Sequence, residues 1–274
     1  MDQEARAPLT EALSAEQRTA FHERGYVRLR TAYPREVALQ IQANMWTELL
    51  EDYGIDQNDR HTWYQPGRSL RRAKWDPLQS AIATDLLVGA IDALLRPASW
   101  RLPTNWGVVL ITFPNRTHDD WSVPSGGWHY DFGAHENATS ISGLTVFTFF
   151  STVGPRGGGT LIVEGSHLLL RRFVSSLPPE EQRSAHQVLR SRFLRHDPWL
   201  RALTGVAEPP PDRIRHFMQE SAAESVPVRV VELTGDPGDV ILCHPLMLHV
   251  SAQNGADVPR FMKSQRICAG VERG

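Results

Sequence analysis

Gly238-Asp239-Val240-Ile241-Leu242-Cys243-His244-Pro245-Leu246-Met247-Leu248-His249-Val250-Ser251, followed by Asn254-Gly255 and then Arg260, is the most instructive stretch of the chain. Asp239 to Cys243 has the length and apolar, β-branched content of a strand. Asn-Gly after an apolar run signals a hairpin. A turn centred near Gly255 and Ala256 would set Ser251 and Arg260 roughly opposite each other, with His249 two residues back on Ser251's face. An imidazole, a hydroxyl and a guanidinium would then share one pocket.

Upstream of this stretch, from about residue 104, short strand candidates alternate with turns: Trp106 to Phe113, Trp128 to Phe132, Leu144 to Thr152, Thr160 to Glu164 and Val228 to Leu233, with Arg260 to Ala269 closing the series. That number suits a mainly β protein of two packed sheets, a sandwich or jelly roll. The segment from Leu9 to Leu50 reads as largely helical. Ser14 is an N-cap before Ala15-Glu16-Gln17, and Gly25 stops that helix ahead of the strand-like Tyr26-Val27-Arg28-Leu29. Further helices are expected over Pro34 to Leu50 and Ile82 to Leu95.

With 274 residues, 41% of them hydrophobic, the chain has enough apolar content for one substantial core. We read residues 1–274 as a single domain: 1–103 a mainly helical brace, 104–270 the jelly-roll core, with an Arg-rich helical insertion at about 168–225. Such an insertion is a candidate lid or a surface bracket. The formal charge of -2 gives no basic field, so nucleic acid is not an expected partner. Two cysteines, Cys243 and Cys268, and the lack of a signal-type opening point to a reducing cytoplasm. No window approaches 18 uninterrupted apolar residues, so a membrane span is not expected either. No pattern specifies an oligomeric state.

The chemistry concentrates in Trp128-His129-Tyr130-Asp131. On an extended strand residues i and i+2 face the same way, so His129 and Asp131 can present a nitrogen and an oxygen to one cavity. His249 would complete a set of two imidazoles and one carboxylate. Such a set leaves three adjacent positions open on octahedral Fe(II), enough for a chelating co-substrate and dioxygen. His118-Asp119-Asp120 repeats the spacing, but it follows the turn-like Pro114-Asn115-Arg116-Thr117, where no pleat aligns the side chains. The fork of Arg260 can hold a carboxylate in bidentate fashion with the Ser251 hydroxyl beside it, which suits a dicarboxylic oxo-acid whose other end chelates the metal.

Taken together, His129-x-Asp131, Gly159-Thr160-Leu161-Ile162-Val163-Glu164-Gly165-Ser166-His167, His244-Pro245 through His249-Val250-Ser251-Ala252-Gln253-Asn254 and Arg260 resemble the phytanoyl-CoA dioxygenase family. Leu13-Ser14-Ala15-Glu16-Gln17 through Gly25-Tyr26-Val27 also looks like that family's opening helix and strand. The resemblance implies a double-stranded β-helix of the cupin-like kind. Its implied cofactors are Fe(II), 2-oxoglutarate as co-substrate and dioxygen. Carried over residue by residue, it makes His129, Asp131 and His249 the iron ligands. Arg260 then meets the distal carboxylate of 2-oxoglutarate, Ser251 assists, and Thr160 stands where the family often has a co-substrate-side residue. His244 matches a family position that is not a ligand. Glu164 departs from the usual proline before Gly-Ser-His, which leaves the local turn to Gly165. Because Asp131 is present, the resemblance implies hydroxylation rather than halogenation, coupled to conversion of 2-oxoglutarate to succinate and carbon dioxide.

The substrate expected from the resemblance is a small organic molecule, with natural-product metabolism as one setting. Trp63, Trp121 and Phe132 lie in or beside polar loops and are candidates for the pocket rim, although buried aromatics more often fill a core. Arg68, Arg71, Arg72 and Lys74 form a basic run that could meet phosphates or simply be a solvated face. Gly157-Gly158-Gly159 lacks a following Gly-Lys-Ser/Thr and reads as a turn. Alternatives to hydroxylation are desaturation, epimerisation or rearrangement with the same cofactors. A non-catalytic metal- or ligand-binding β-barrel and a cupin-like isomerase stand outside that chemistry.

Overall fold

A computed structural model describes residues 12–65, 70–96, 98–115, 120–132 and 141–270. His118 and Asp119 of the second His-x-Asp pair, Arg68 of the basic run and residues 9–11 of the expected first helical segment lie outside them. Ser14 caps α1 (Ala15–Arg24) through a reciprocal pair: its Oγ accepts from the Gln17 amide at 3.1 Å, and its own amide donates to Gln17 Oε1 at 2.9 Å. Gly25 ends the helix at φ 90° and hands the chain to β1 (Tyr26–Leu29). Three more helices complete the brace: α2 (Arg35–Tyr53), α3 (Arg71–Lys74) and α4 (Asp85–Leu95).

The remaining strands are β2 (Val108–Thr112), β3 (Gly143–Phe149), β4 (Leu161–Glu164), β5 (Ser221–Ala223), β6 (Val226–Glu232), β7 (Val240–Cys243), β8 (His249–Val250) and β9 (Arg260–Cys268). They form two antiparallel sheets, in the orders β1-β7-β3-β9-β2 and β5-β6-β4-β8. This is the jelly-roll architecture. Val27, Leu242, Val146 and Phe261 on the outer face of the five-stranded sheet pack on the brace helices. Phe147, Phe149, Ile162, Ile241 and Met262 fill the space between the sheets. The strand period of two separates these faces.

Two buried polar side chains tie the brace together and to the sheet. The Glu48 carboxylate accepts the backbone N–H groups of Arg71, Arg72 and Ala73 and so caps the start of α3. Gln79 donates to the Ala73 carbonyl at 2.7 Å, and its Oε1 accepts from the Trp106 amide at 3.0 Å and from Lys263 Nζ at 2.6 Å. Burial pulls the Lys263 ammonium down to about 7. The basic run is partly neutralised within the brace, since Arg72 pairs with Glu51 at 2.7 Å and with Asp52 at 3.3 Å.

Between β4 and β5 lie α5 (Ser166–Ser176), α6 (Pro179–Gln182), α7 (His186–Phe193), α8 (Pro198–Leu203) and α9 (Arg213–Met218). Leu170, Phe173, Leu189, Phe193, Trp199 and Phe217 from these helices cover Leu161, Val163, Val228 and Val230 on the outer face of the four-stranded sheet. The expected insertion is thus a bracket on that face. It ends earlier than expected, because Ser221–Ala223 already pairs with Val226–Val228. No single described helix is long and apolar enough to cross a membrane.

Two sequence expectations are corrected. No strand spans Trp128 to Phe132; this segment makes one isolated bridge, His129 to His249. Nor do Ser251 and Arg260 face each other across a hairpin, since β8 pairs with β4 while β9 pairs with β2 and β3. The chain crosses from one sheet to the other between them. Asn254 holds that crossing: its side-chain nitrogen donates to the Thr112 carbonyl at 2.9 Å and the Val258 carbonyl at 2.8 Å, and its Oδ1 accepts from the Ala256 amide at 3.0 Å. A side chain tied to backbone on three sides replaces the tight turn that Asn-Gly suggested.

Candidate metal centre

His129 and His249 exchange both backbone hydrogen bonds, His129 N–H to the His249 carbonyl at 3.0 Å and the reverse at 2.8 Å. A single bonded pair of this kind fixes the two residues opposite each other, and the ring centroids lie 4.3 Å apart. Asp131 completes the group. Its Oδ2 is 3.6 Å from His249 Nε2 and its Oδ1 is 3.9 Å from His129 Nε2. One ligand atom from each of the three residues lies within 4.8 Å of the others.

Both rings are oriented by backbone two residues earlier. The Nδ1–H of His129 donates to the Gly127 carbonyl at 2.8 Å, and that of His249 to the Met247 carbonyl at 3.0 Å. With Nδ1 committed as a donor, the Nε2 lone pair of each ring is directed at the shared centre. Burial and the neighbouring His129 push the His249 imidazole below its usual value, against the pull of Asp131. The neutral ring that results is the ligating form.

Tyr130 explains how the ligand loop is held without a strand. It is buried on the opposite side, with its ring 4.6 Å from His186 and 6.4 Å from Phe193 of α7. Burial raises its hydroxyl to about 12. A fully buried aromatic is worth about 3–5 kcal/mol, so the bracket helices pin the backbone between the two ligands.

The three residues open on a cavity of about 850 Å³ whose wall also includes Val108, Leu110, Phe132, Phe147, Thr160, Ser251, Ser264, Gln265 and Arg266. Phe132, Thr160 and Ser251 are therefore brought to the cavity with His129, Asp131 and His249. Trp63 and Trp121 are not among its lining residues. Trp63 packs in the brace between Trp46, at 6.0 Å, and Phe113, at 5.8 Å, and its Nε1 donates to the Asp56 carbonyl. Trp121 donates to the Gln253 carbonyl at 3.0 Å and stacks with Arg156, supporting the crossing segment. Both loops are polar in sequence, but each indole found an internal acceptor.

Arg260 is 3% exposed and stands on the face of β9 shared with Met262, which belongs to the core between the sheets. Its Nη1 donates to the Gly158 carbonyl at 2.6 Å, two residues before Thr160, while its Nε is buried with no partner. Burial lowers its guanidinium to about 10, with Glu232 acting in the other direction. Glu232 itself accepts the Arg156 and Gly159 amides at 2.6 and 2.9 Å. A buried donor without a partner costs about 1–3 kcal/mol, a cost that an anionic ligand would remove. Ser264, Gln265 and Arg266 escaped the sequence reading. Their signal was the run of polar residues in the second half of a strand that begins with apolar ones.

The family model described as Phytanoyl-CoA dioxygenase (PhyH) matches residues 21–262. No curated protein matches the chain. Among solved structures, the non-heme alpha ketoglutarate dependent carbocyclase SnoK from nogalamycin biosynthesis is similar, with a TM-score of 0.55 and 19% identity over 96% of this chain and 87% of that one. HygX from Streptomyces hygroscopicus, with nickel and 2-oxoglutarate bound, has a TM-score of 0.51 and 14% identity over 95% of this chain and 89% of that one. AviO1 from Streptomyces viridochromogenes Tue57 has a TM-score of 0.50 and 15% identity over 96% of each chain. At such identities the likeness is one of fold.

Proposed function

The chain belongs to the phytanoyl-CoA dioxygenase family of non-haem iron, 2-oxoglutarate-dependent oxygenases, and from that membership we propose that it oxidises a C–H bond of a small organic molecule, most simply by hydroxylation. His129, Asp131 and His249 would hold Fe(II). The observation that carries this is the convergence of their three ligand atoms within 4.8 Å, with both Nδ1–H groups already committed to backbone carbonyls. Fe(II) held there would supply, with 2-oxoglutarate and dioxygen, the oxidising chemistry whose by-products are succinate and carbon dioxide.

The protein's own residues bind and orient. Arg260, buried behind the lining residues of the cavity and bonded to the Gly158 carbonyl, would hold the distal carboxylate of 2-oxoglutarate through its unpartnered Nε, with Thr160 and Ser251 in the cavity wall. Phe132, Phe147, Val108 and Leu110 give the cavity apolar surface for the carbon skeleton of a substrate. Whether the outcome is hydroxylation, desaturation, epimerisation or ring closure follows from which hydrogen the substrate presents to the metal. A role in natural-product metabolism is in keeping with the place of SnoK in nogalamycin biosynthesis.

Anaerobic metal titration followed by a succinate assay in air tests the assignment. Wild-type protein should bind one Fe(II) and release succinate only with oxygen present. Asp131→Ala should lose metal affinity by about 10-fold or more together with turnover. Undiminished metal binding and succinate release by that variant would remove Asp131 from the site.

A further inference from the structure

We propose that Arg266 anchors an acidic group of the substrate, a carboxylate or a phosphate ester, beside the metal centre. The inference rests on the oxygenase reading and adds to it the chemical class of the molecule oxidised. Arg266 stands six residues beyond Arg260 on β9, paired with Thr145 of β3, and the even offset puts both guanidinium groups on the same face of the strand. The two arginines are not equivalent. Arg260 is enclosed in the protein and bound to the Gly158 carbonyl, whereas Arg266 is exposed on the cavity wall and reaches the ligand loop. Its Nη1 lies 3.5 Å from the backbone carbonyl of Asp131, at the limit of a hydrogen bond.

Among the described residues the wall around Arg266 holds no acidic side chain other than Asp131, and Arg266 makes no ion pair. Ser264 and Gln265, just before Arg266 on β9, add hydrogen-bonding groups to the wall. A second cleft, of about 350 Å³, adjoins the first through the shared residues Gln265, Arg266 and Cys268, and it brings a second guanidinium, Arg101, with Thr104 and Asn105. The shared side of the two clefts therefore carries two guanidinium groups, with the buried Phe132 and Phe147 elsewhere on the wall of the larger one. An acid held by the Arg266 fork would sit against the ligand loop, which places the carbon to be oxidised only a few bonds from the acidic group. A neutral or cationic substrate would gain no charge-assisted contact from this guanidinium.

Protein loaded with Ni(II) and saturating 2-oxoglutarate, which does not turn over, keeps the co-substrate position filled while binding is measured. Phenylacetate, phenyl phosphate and the neutral phenylacetamide serve as matched probes, followed by calorimetry or ligand-observed NMR. At least one of the two anions should bind about 10-fold or more tightly than the amide, and the better of the two identifies the acid. Arg266→Gln should bring anion and amide to within about 2-fold, and Arg266→Lys should keep part of the preference. Affinity for 2-oxoglutarate should be unchanged in both variants. Equal binding of amide and anions, no binding of either anion, or a preference that survives Arg266→Gln would overturn the proposal. So would loss of 2-oxoglutarate binding in Arg266→Gln, which would make Arg266 a co-substrate residue. Failure of the oxygenase reading itself would appear earlier, as wild-type protein that takes up neither Ni(II) nor 2-oxoglutarate.

Discussion

Replacing Arg260 by Gln removes a buried positive charge while keeping a donor for the Gly158 carbonyl, now met at 2.6 Å. The substitution therefore probes the charge and the fork more than the packing. Glu232 retains its two backbone donors from Arg156 and Gly159, so it is not left bare. A buried charge-assisted contact to a carboxylate is worth about 2–4 kcal/mol, which is roughly 30- to 900-fold in the dissociation constant. Calorimetric titration of the Ni(II)-loaded protein with 2-oxoglutarate measures that loss. A parallel titration with 2-oxobutyrate, which chelates but has no distal carboxylate, isolates its origin. Wild type should prefer 2-oxoglutarate by the full factor, and Arg260→Gln should bind the two oxo-acids almost equally. Arg260→Lys should fall between, because an ammonium keeps the charge without the fork. A variant that binds 2-oxoglutarate as wild type does, or that keeps the preference over 2-oxobutyrate, would refute the role given to Arg260.

Gly165 holds φ 77°, and a Cβ there would stand 2.2 Å from the Pro227 carbonyl oxygen; Gly165→Ala should cost about 1–3 kcal/mol from the backbone alone, read as a lower urea midpoint, and an unchanged midpoint would contradict it. Trp63→Ala should cost about 3–5 kcal/mol of stability yet leave 2-oxoglutarate affinity alone, since Trp63 packs with Trp46 and Phe113 in the brace; a folded, stable variant with weakened ligand binding would return Trp63 to the pocket. Burial lowers the His167 imidazole from its ordinary 6.5 to about 4, so between those values the unfolded chain takes up a proton that the folded protein does not. Stability should accordingly fall as pH drops from 6.5 to 4, by up to about 3 kcal/mol from this residue, and His167→Gln should flatten the profile in urea titrations at several pH values.

Much of the local structure was legible because it depends on neighbours in sequence. The Ser14 and Gln17 cap, the stop at Gly25 and most of the core strands follow from side chains a few residues apart. The convergence of His129, Asp131 and His249 was also legible, since His129-x-Asp131 and His249 stand in motifs quoted from the sequence. The geometry offered for them was wrong in detail. A pleated strand was expected to align His129 with Asp131, and the protein uses one bridge to His249 and the buried Tyr130 instead. The Asn254-Gly255 hairpin failed for a related reason: the Asn254 side chain found acceptors at Thr112 and Val258, one of them 142 positions away. Trp63 was misplaced because a polar loop in sequence says nothing about the helix that folds over it.

The sequence by itself determined the alternation of faces, the caps and the kinds of atoms that can bind a metal, all of which are set within a few residues by covalent geometry and side-chain chemistry. Tertiary structure alone decided which strands pair, that β8 and β9 belong to different sheets, that α5 to α9 bracket the outer face, and that Arg266 shares a cavity with Asp131. A period of two tells each strand which side is inward, but the partner it meets is chosen by burial summed over segments far apart in the chain.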